Sequence, residues 1–263
     1  MKKIIALIMA AALMLGLFAG CGKDENTLVM ATNAQFPPYE FYDGEDMVGI
    51  DVEIAGKIAE KIGMKLEIKD VEFDGIVAGV QSGKYDMGMA GMTVTEDRLK
   101  NVNFTDSYAK GVQVVIVKED STYTSFEEFY TGFDAEGNPA GVVDGITIGV
   151  QSGTTGDIYA SDDPENWGFG SDNVKQYNNG ADAVEALKSG KVTAVIIDNE
   201  PAKAYVAANT GLKILDGAYA DEDYAICIAK DNTELLDKIN TALKELIADG
   251  TVKSIVDKYI PAE

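Results

Sequence analysis

The chain has no histidine among its 263 residues, and that one gap removes Ser-His-Asp and Cys-His catalysis together with most zinc sites. Cysteine is nearly absent too. Cys227 lies in the apolar run Tyr224 to Ala229 and reads as a buried free thiol. The other, Cys21, closes the first apolar stretch, so no disulfide framework is expected. Positive charge is scarce: 22 Lys and Arg face 44 Asp and Glu, for a formal charge of −22. A polyanion of that size is a poor partner for nucleic acid. The leading apolar run, Ile4 to Phe18, has 15 residues and is short for a membrane span.

What is present at the start is a targeting pattern. Lys2-Lys3 forms a basic n-region, the apolar run follows, and Leu17-Phe18-Ala19-Gly20-Cys21 ends it. Small residues before a cysteine resemble a bacterial lipobox, with Phe18 where Leu is more usual. Residues 1–20 are therefore expected to be a lipoprotein signal peptide, with Cys21 lipidated and residues 21–26 a tether. An ordinary secretory signal with an incidental cysteine is the alternative. Loss of Lys2 and Lys3 would leave the mature chain more acidic still. An apolar content of 46% is ample for a packed core, in one large domain or two moderate ones.

The remainder alternates strand and helix patterns. Thr27 to Ala31 reads as a strand and Asn33 to Met47 as a loop broken by Pro37-Pro38 and Asp43-Gly44. Ile50, Ile54, Ile58 and Ile62 repeat every fourth residue, the apolar face of a helix that stops at Gly63. Strand Met64 to Ile68, a short helix to Gln81 and strand Tyr85 to Ala90 follow. Strands are expected at Val112 to Val117, Ile146 to Val150, Asn173 to Tyr177 and Thr193 to Ile197. Helices are expected over Asp182 to Lys188, Pro201 to Ala208 and a last one carrying Leu235, Leu236, Ile239, Leu243, Leu246 and Ile247 on one face. Ser125 with Glu128 makes a capping box, and Phe133 to Gly145 reads as an inserted surface loop.

An internal repeat points to two lobes. Asp74 to Tyr85 runs helix, Ser82-Gly83-Lys84 turn, strand; Ala181 to Val192 repeats this around Ser189-Gly190-Lys191. Superimposed, Gly91 falls on Asp198, both at a strand exit, where open α/β sheets bind ligands. The chain is expected to build lobe 1 from 27–111 and 222–263 and lobe 2 from 112–221, its two passages forming a flexible hinge.

The chemistry gathers at three places. In Ala90-Gly91-Met92-Thr93-Val94-Thr95-Glu96-Asp97-Arg98, Thr95 reads as an N-cap, which puts Arg98 in a first helical turn where the dipole disfavours a cation. Such an arginine wants an anion: Glu96 or Asp97, or a ligand carboxylate held by the guanidinium fork. Gln151 to Gly156, with Thr154 and Thr155, sits between strand and helix and is either a capped loop or an anion site. Asp198 either caps the helix after Pro201 or offers a counter-charge to an ammonium, helped by the Thr93 hydroxyl and the Gly91 carbonyl. Phe36, after the first strand, is either core or a stacking surface for a ligand side chain.

The central stretch, with Asp74-Gly75-Ile76 before it and Asn103-Phe104-Thr105-Asp106-Ser107-Tyr108 after it, resembles the family 3 extracellular solute-binding proteins, polar amino-acid receptors of bacterial ABC importers. The resemblance runs from about Leu28 to Tyr259. It implies a periplasmic-binding-protein type II fold: two α/β lobes, a two-strand hinge and a ligand cleft. It implies that Gly91, Thr93, Arg98, Thr154 and Thr155 hold an α-carboxylate and α-ammonium, with Asp198 on the ammonium and Ala90 beside Gly91 among the ligand contacts. Phe36 would cover the ligand side chain, while Asn33, Gln151 and Ile197 would set selectivity. Asn33 stands where binders of basic amino acids often carry an acid, so a neutral polar side chain is expected; Glu40, Asp43 or Asp86 reaching the pocket would favour a basic one. The resemblance thus implies a monomeric receptor outside the cytoplasm, anchored through Cys21 and partnered by ABC permease subunits. No cofactor, metal or catalysis is expected, the rival being an enzyme of the cyclohexadienyl dehydratase kind on the same scaffold, with a poised general acid.

Overall fold

The computed structural model describes residues 26–261; the expected signal peptide, most of the tether and the lipidation site Cys21 lie outside them. Strands β1 (Thr27–Thr32), β2 (Gln35–Phe36), β3 (Glu40–Asp43) and β4 (Asp46–Val48) open the chain. The last three pair into a small antiparallel sheet where a loop was expected. Asp43-Gly44, with Gly44 at φ +65°, supplies the tight turn that makes β3 and β4 a hairpin.

Helix α1 (Ile50–Ile62) buries Ile50, Ile54 and Ile58 as its fourfold spacing predicts, and Gly63 caps it in a left-handed conformation at φ +73°. It leads into β5 (Lys65–Asp70), α2 (Ile76–Gln81) and β6 (Met87–Gly88), a strand shorter than its apolar run. Then come α3 (Glu96–Asn101) and β7 (Val102–Phe104). The first sheet runs β5-β1-β6, all parallel, and is completed by a late strand, β14 (Cys227–Ala229), antiparallel between β6 and β7.

β8 (Ala109–Lys118) carries the chain into a second sheet, with β9 (Ile148–Gln151), α4 (Thr155–Ser161), β10 (Val174–Tyr177), α5 (Gly180–Lys188), β11 (Ala194–Asp198), α6 (Asn199–Ala208) and β12 (Leu212–Ile214). Its order is β10-β9-β11-β8-β12, the first three parallel. β13 (Ala220–Tyr224) returns antiparallel to β8, from Ala220 opposite Gln113 to Tyr224 opposite Ala109. These two paired strands are the hinge. Ser125 and Glu128 form both halves of the expected capping box, although the helix they open is only a short 3-10 turn.

The helix expected from Leu235 to Ile247 is α7 (Thr233–Ala248), and a further helix that was not expected, α8 (Thr251–Tyr259), follows Gly250 with φ +85°. Ile247 is exposed, while Ile239, Leu243 and Leu246 are buried against α1. The 133–145 segment folds back on itself, with Asp134 accepting from the backbone N–H groups of Glu136 and Asn138. Phe133 then rests against Tyr130 and Trp167.

Candidate functional site

A cavity with about 310 Å³ of empty space, its solvent-open mouth included, lies between the two sheets. Asn33, Phe36, Ala90, Gly91, Thr93 and Arg98 line it from the first lobe. Gln151, Thr154, Thr155 and Asp198 line it from the second, so these ten expected residues meet in one place. Ile197 does not: it is buried against Gly180 and Tyr205, because strand alternation turns it away from its neighbour Asp198.

Arg98 is the chain's single arginine and is only 7% exposed. Thr95 caps α3 by accepting from the Arg98 N–H at 3.2 Å, which turns the guanidinium inward. Nη1 donates to the Thr93 carbonyl at 2.7 Å and Nη2 to the Gly153 carbonyl of the other lobe at 3.0 Å. Among the described residues no carboxylate is within ion-pair distance; Asp97 pairs instead with Lys100. Burial lowers the Arg98 pKa from its ordinary value, and the field of Glu222 opposes that shift.

Gly91 has φ +51°, and a Cβ there would stand 2.7 Å from Phe36 Cε1, so the strand exit requires glycine. Its N–H donates to Asp51 Oδ2 at 2.8 Å. Across the cleft, Gln151 Nε2 donates to Asn33 Oδ1 at 2.9 Å, while Asn33 Nδ2 donates to the Val71 carbonyl. Thr154 caps α4, accepting from the Asp157 N–H at 3.3 Å. Part of the expected anion site is filled from within, since Gly153 N–H donates to Asp157 Oδ2 at 3.0 Å.

Asp198 ends β11 at the N-cap position of α6, but its side chain makes no cap bond. It accepts instead from Tyr224 Oη and, at 2.7 Å, from Gln113 Nε2. Burial, then the neighbouring Glu222 carboxylate, push its pKa well above the usual carboxylate range. Gln113 Nε2 also reaches Thr155 Oγ1 at 3.4 Å.

Residues 28–262 match the bacterial extracellular solute-binding proteins, family 3. The chain belongs to this family. It is 29% identical to the arginine-binding extracellular protein ArtP of Bacillus subtilis (strain 168), over 100% of both chains. An ancestral arginine-binding protein has been solved bound to arginine and bound to glutamine. Each structure is 38% identical to this chain, with a TM-score of 0.78, and covers 90% and 91% of it respectively. Each is itself matched over 100% of its length. The fold is the type II arrangement of amino-acid-binding proteins.

Two further residues line the cavity of this solute-binding protein. Phe73 lies under the Arg98 guanidinium, 5.4 Å from ring centroid to Cζ. Glu40 is fully buried, and neither of its carboxyl oxygens has a hydrogen-bond partner among the N–H and O–H donors of the described residues. Its neighbour is the Asp51 carboxylate, so a bond between them needs a proton on one. Burial, then Asp51, raise Glu40 well above its ordinary value; burial pushes Asp51 up to about 7 despite the Gly91 N–H and the Tyr108 hydroxyl. Of the three acids that could reach the pocket, Glu40 is the one that lines it, beside the neutral Asn33 and Gln151. The other two acids stay away: Asp43 is exposed in the hairpin, and Asp86 accepts from the Val29 N–H. The available signal was an acid set inside the aromatic run Phe36 to Tyr42.

Proposed function

We propose that this protein is the amino-acid receptor of an ABC importer, closing its lobes on the α-carboxylate and α-ammonium of one ligand. Supporting this above all is the placement of opposite charges, Arg98 from one lobe and Asp198 from the other, buried in one cavity. A zwitterion carries the complementary pair on adjacent groups. In this reading Arg98 and Thr154–Thr155 take the carboxylate, and Asp198, Thr93 and the Gly91 carbonyl take the ammonium. Ala90 continues that wall, and Phe36 covers the side chain.

Glu40 favours a cationic side chain, arginine in particular: a buried carboxyl without donors gains two charge-assisted bonds from a guanidinium. The arginine-binding relatives agree with this. A second reading, a neutral polar side chain such as that of glutamine, draws support from the Asn33–Gln151 amide pair. Lobe 1 would comprise 27–111 and 222–263, and lobe 2 112–221, with a monomer held outside the cytoplasm through lipid on Cys21 and docking on permease subunits. No helix among the described residues is long and apolar enough to cross a membrane.

A thermal-shift screen over the twenty amino acids tests the reading. A ligand at 100 times its Kd stabilises the fold by about 2.7 kcal/mol, which is easily seen. Failure of every amino acid, or conversion of prephenate or arogenate to an aromatic product, would exclude it. Cys21→Ser should abolish lipid labelling while leaving the binding domain folded.

A further inference from the structure

Glu222 stands behind the cavity-lining Thr93, and the ligand grip described above makes no use of it. It projects from β13 and is 5% exposed. Oε2 accepts from Thr93 Oγ1 at 2.9 Å and from Gln113 Nε2 at 3.1 Å, while Oε1 has no hydrogen-bond partner among the described residues. The same Gln113 nitrogen serves Asp198 Oδ2, so one amide donor is shared by two buried carboxyl groups. Among the described residues neither carboxyl has an ion-pair partner, because the Arg98 guanidinium bonds to backbone carbonyls instead.

The groups facing this pair are Arg98 from α3, Tyr159 from α4, Tyr224 from β13, and Tyr39 and Glu40 from the first lobe. Burial raises Tyr39, Tyr159 and Glu40 above their ordinary values. Among the described residues Arg98 is the formal positive charge facing these two acids, which share one donor. Two buried carboxyl groups that share one amide donor favour a proton on Asp198, which lets it donate to the open Oε1 of Glu222.

We propose that Asp198 holds a proton against Glu222 and that the ligand's α-ammonium takes its place, making Glu222 a positioning residue of the ammonium site. The exchange conserves buried charge. The pair goes from −1 to −2, the ammonium brings +1, and the proton leaves to solvent. This rests on the receptor reading, in which Asp198 contacts the ammonium. Affinity should therefore rise with pH until the pair ionises in the free protein.

Calorimetry in buffers of different ionisation enthalpy counts the protons released. The titrations use the full chain with L-arginine and, as a ligand that brings no charge to Glu40, L-glutamine. Glu222→Gln should release about one proton fewer than wild type with the same ligand, and Glu222→Asp should restore the count. An unchanged count in a Glu222→Gln protein that still binds overturns this inference and spares the receptor reading. Absence of binding by wild type overturns both. Should Glu222→Gln fail to fold, the wild-type counts decide: about one proton with L-glutamine, or with L-arginine in a Glu40→Gln background, supports the exchange, and none overturns it.

Discussion

Arg98 of the first lobe reaches the Gly153 carbonyl of the second at 3.0 Å, so the residue proposed to grip the ligand carboxylate also spans the cleft. Closure buries this guanidinium against a neutral acceptor and leaves its full charge to be met by the ligand. Removing it strands a buried ligand carboxylate, a loss of about 3–5 kcal/mol or roughly 10²–10³·⁵ in Kd. Arg98→Ala and Asp198→Ala should each keep a wild-type circular dichroism spectrum and lose micromolar amino-acid binding. Near-normal affinity in either would make these charges structural.

Glu40 should govern the choice between ligands. Glu40→Gln removes a charged acceptor worth about 1.5–3 kcal/mol, so arginine affinity should fall about 10- to 100-fold. Glutamine affinity should change far less. Equal losses for the two ligands, measured by calorimetry, would show that Glu40 does not face the side chain.

The same acids should shape stability with pH. Asp51 keeps its proton in the folded chain up to about 7, whereas the unfolded chain gives it up near 3.8. Between those values the folded state binds more protons, so stability falls as pH rises, by up to about 1.4 kcal/mol per pH unit. Asp51→Asn supplies the hydrogen permanently and can still accept from Gly91 and Tyr108. Urea unfolding at several pH values across that window should show a flatter profile for the variant; parallel profiles would contradict the assignment.

Gly91→Ala tests the strand exit. A left-handed φ for alanine and a Cβ 2.7 Å from Phe36 should together lower stability by about 1–3 kcal/mol. Displacing Phe36 should also weaken ligand binding. A variant with unaltered melting temperature and affinity would show that the loop relaxes freely.

Much of this site was legible because its signals are local. Thr95 announces a helix start, which makes Arg98 anomalous, and the Ser-Gly-Lys repeat pairs Gly91 with Asp198. Gln113 and Glu222 gave no such sign, and Glu40 stood out only as one of three acids that could reach the pocket. Their meaning comes from burial beside another acid or amide far away in the chain, as with Thr93 and Glu222, and a linear reading sees only an acid in a strand. The boundary errors have similar causes. α8 has only 9 residues and β2 to β4 are shorter still, too short for periodicity to reveal.

The place of β14 sets an order of assembly. Cys227 pairs with Gly88 on one side and Phe104 on the other, so an internal strand of the first sheet is made only after the whole of the second has been synthesised. On the ribosome the middle of the chain can close on its own, while the amino-terminal strands wait with an open seam between β6 and β7. A nascent chain arrested before Cys227 should therefore protect the later-made lobe from protease and leave the earlier-made one exposed.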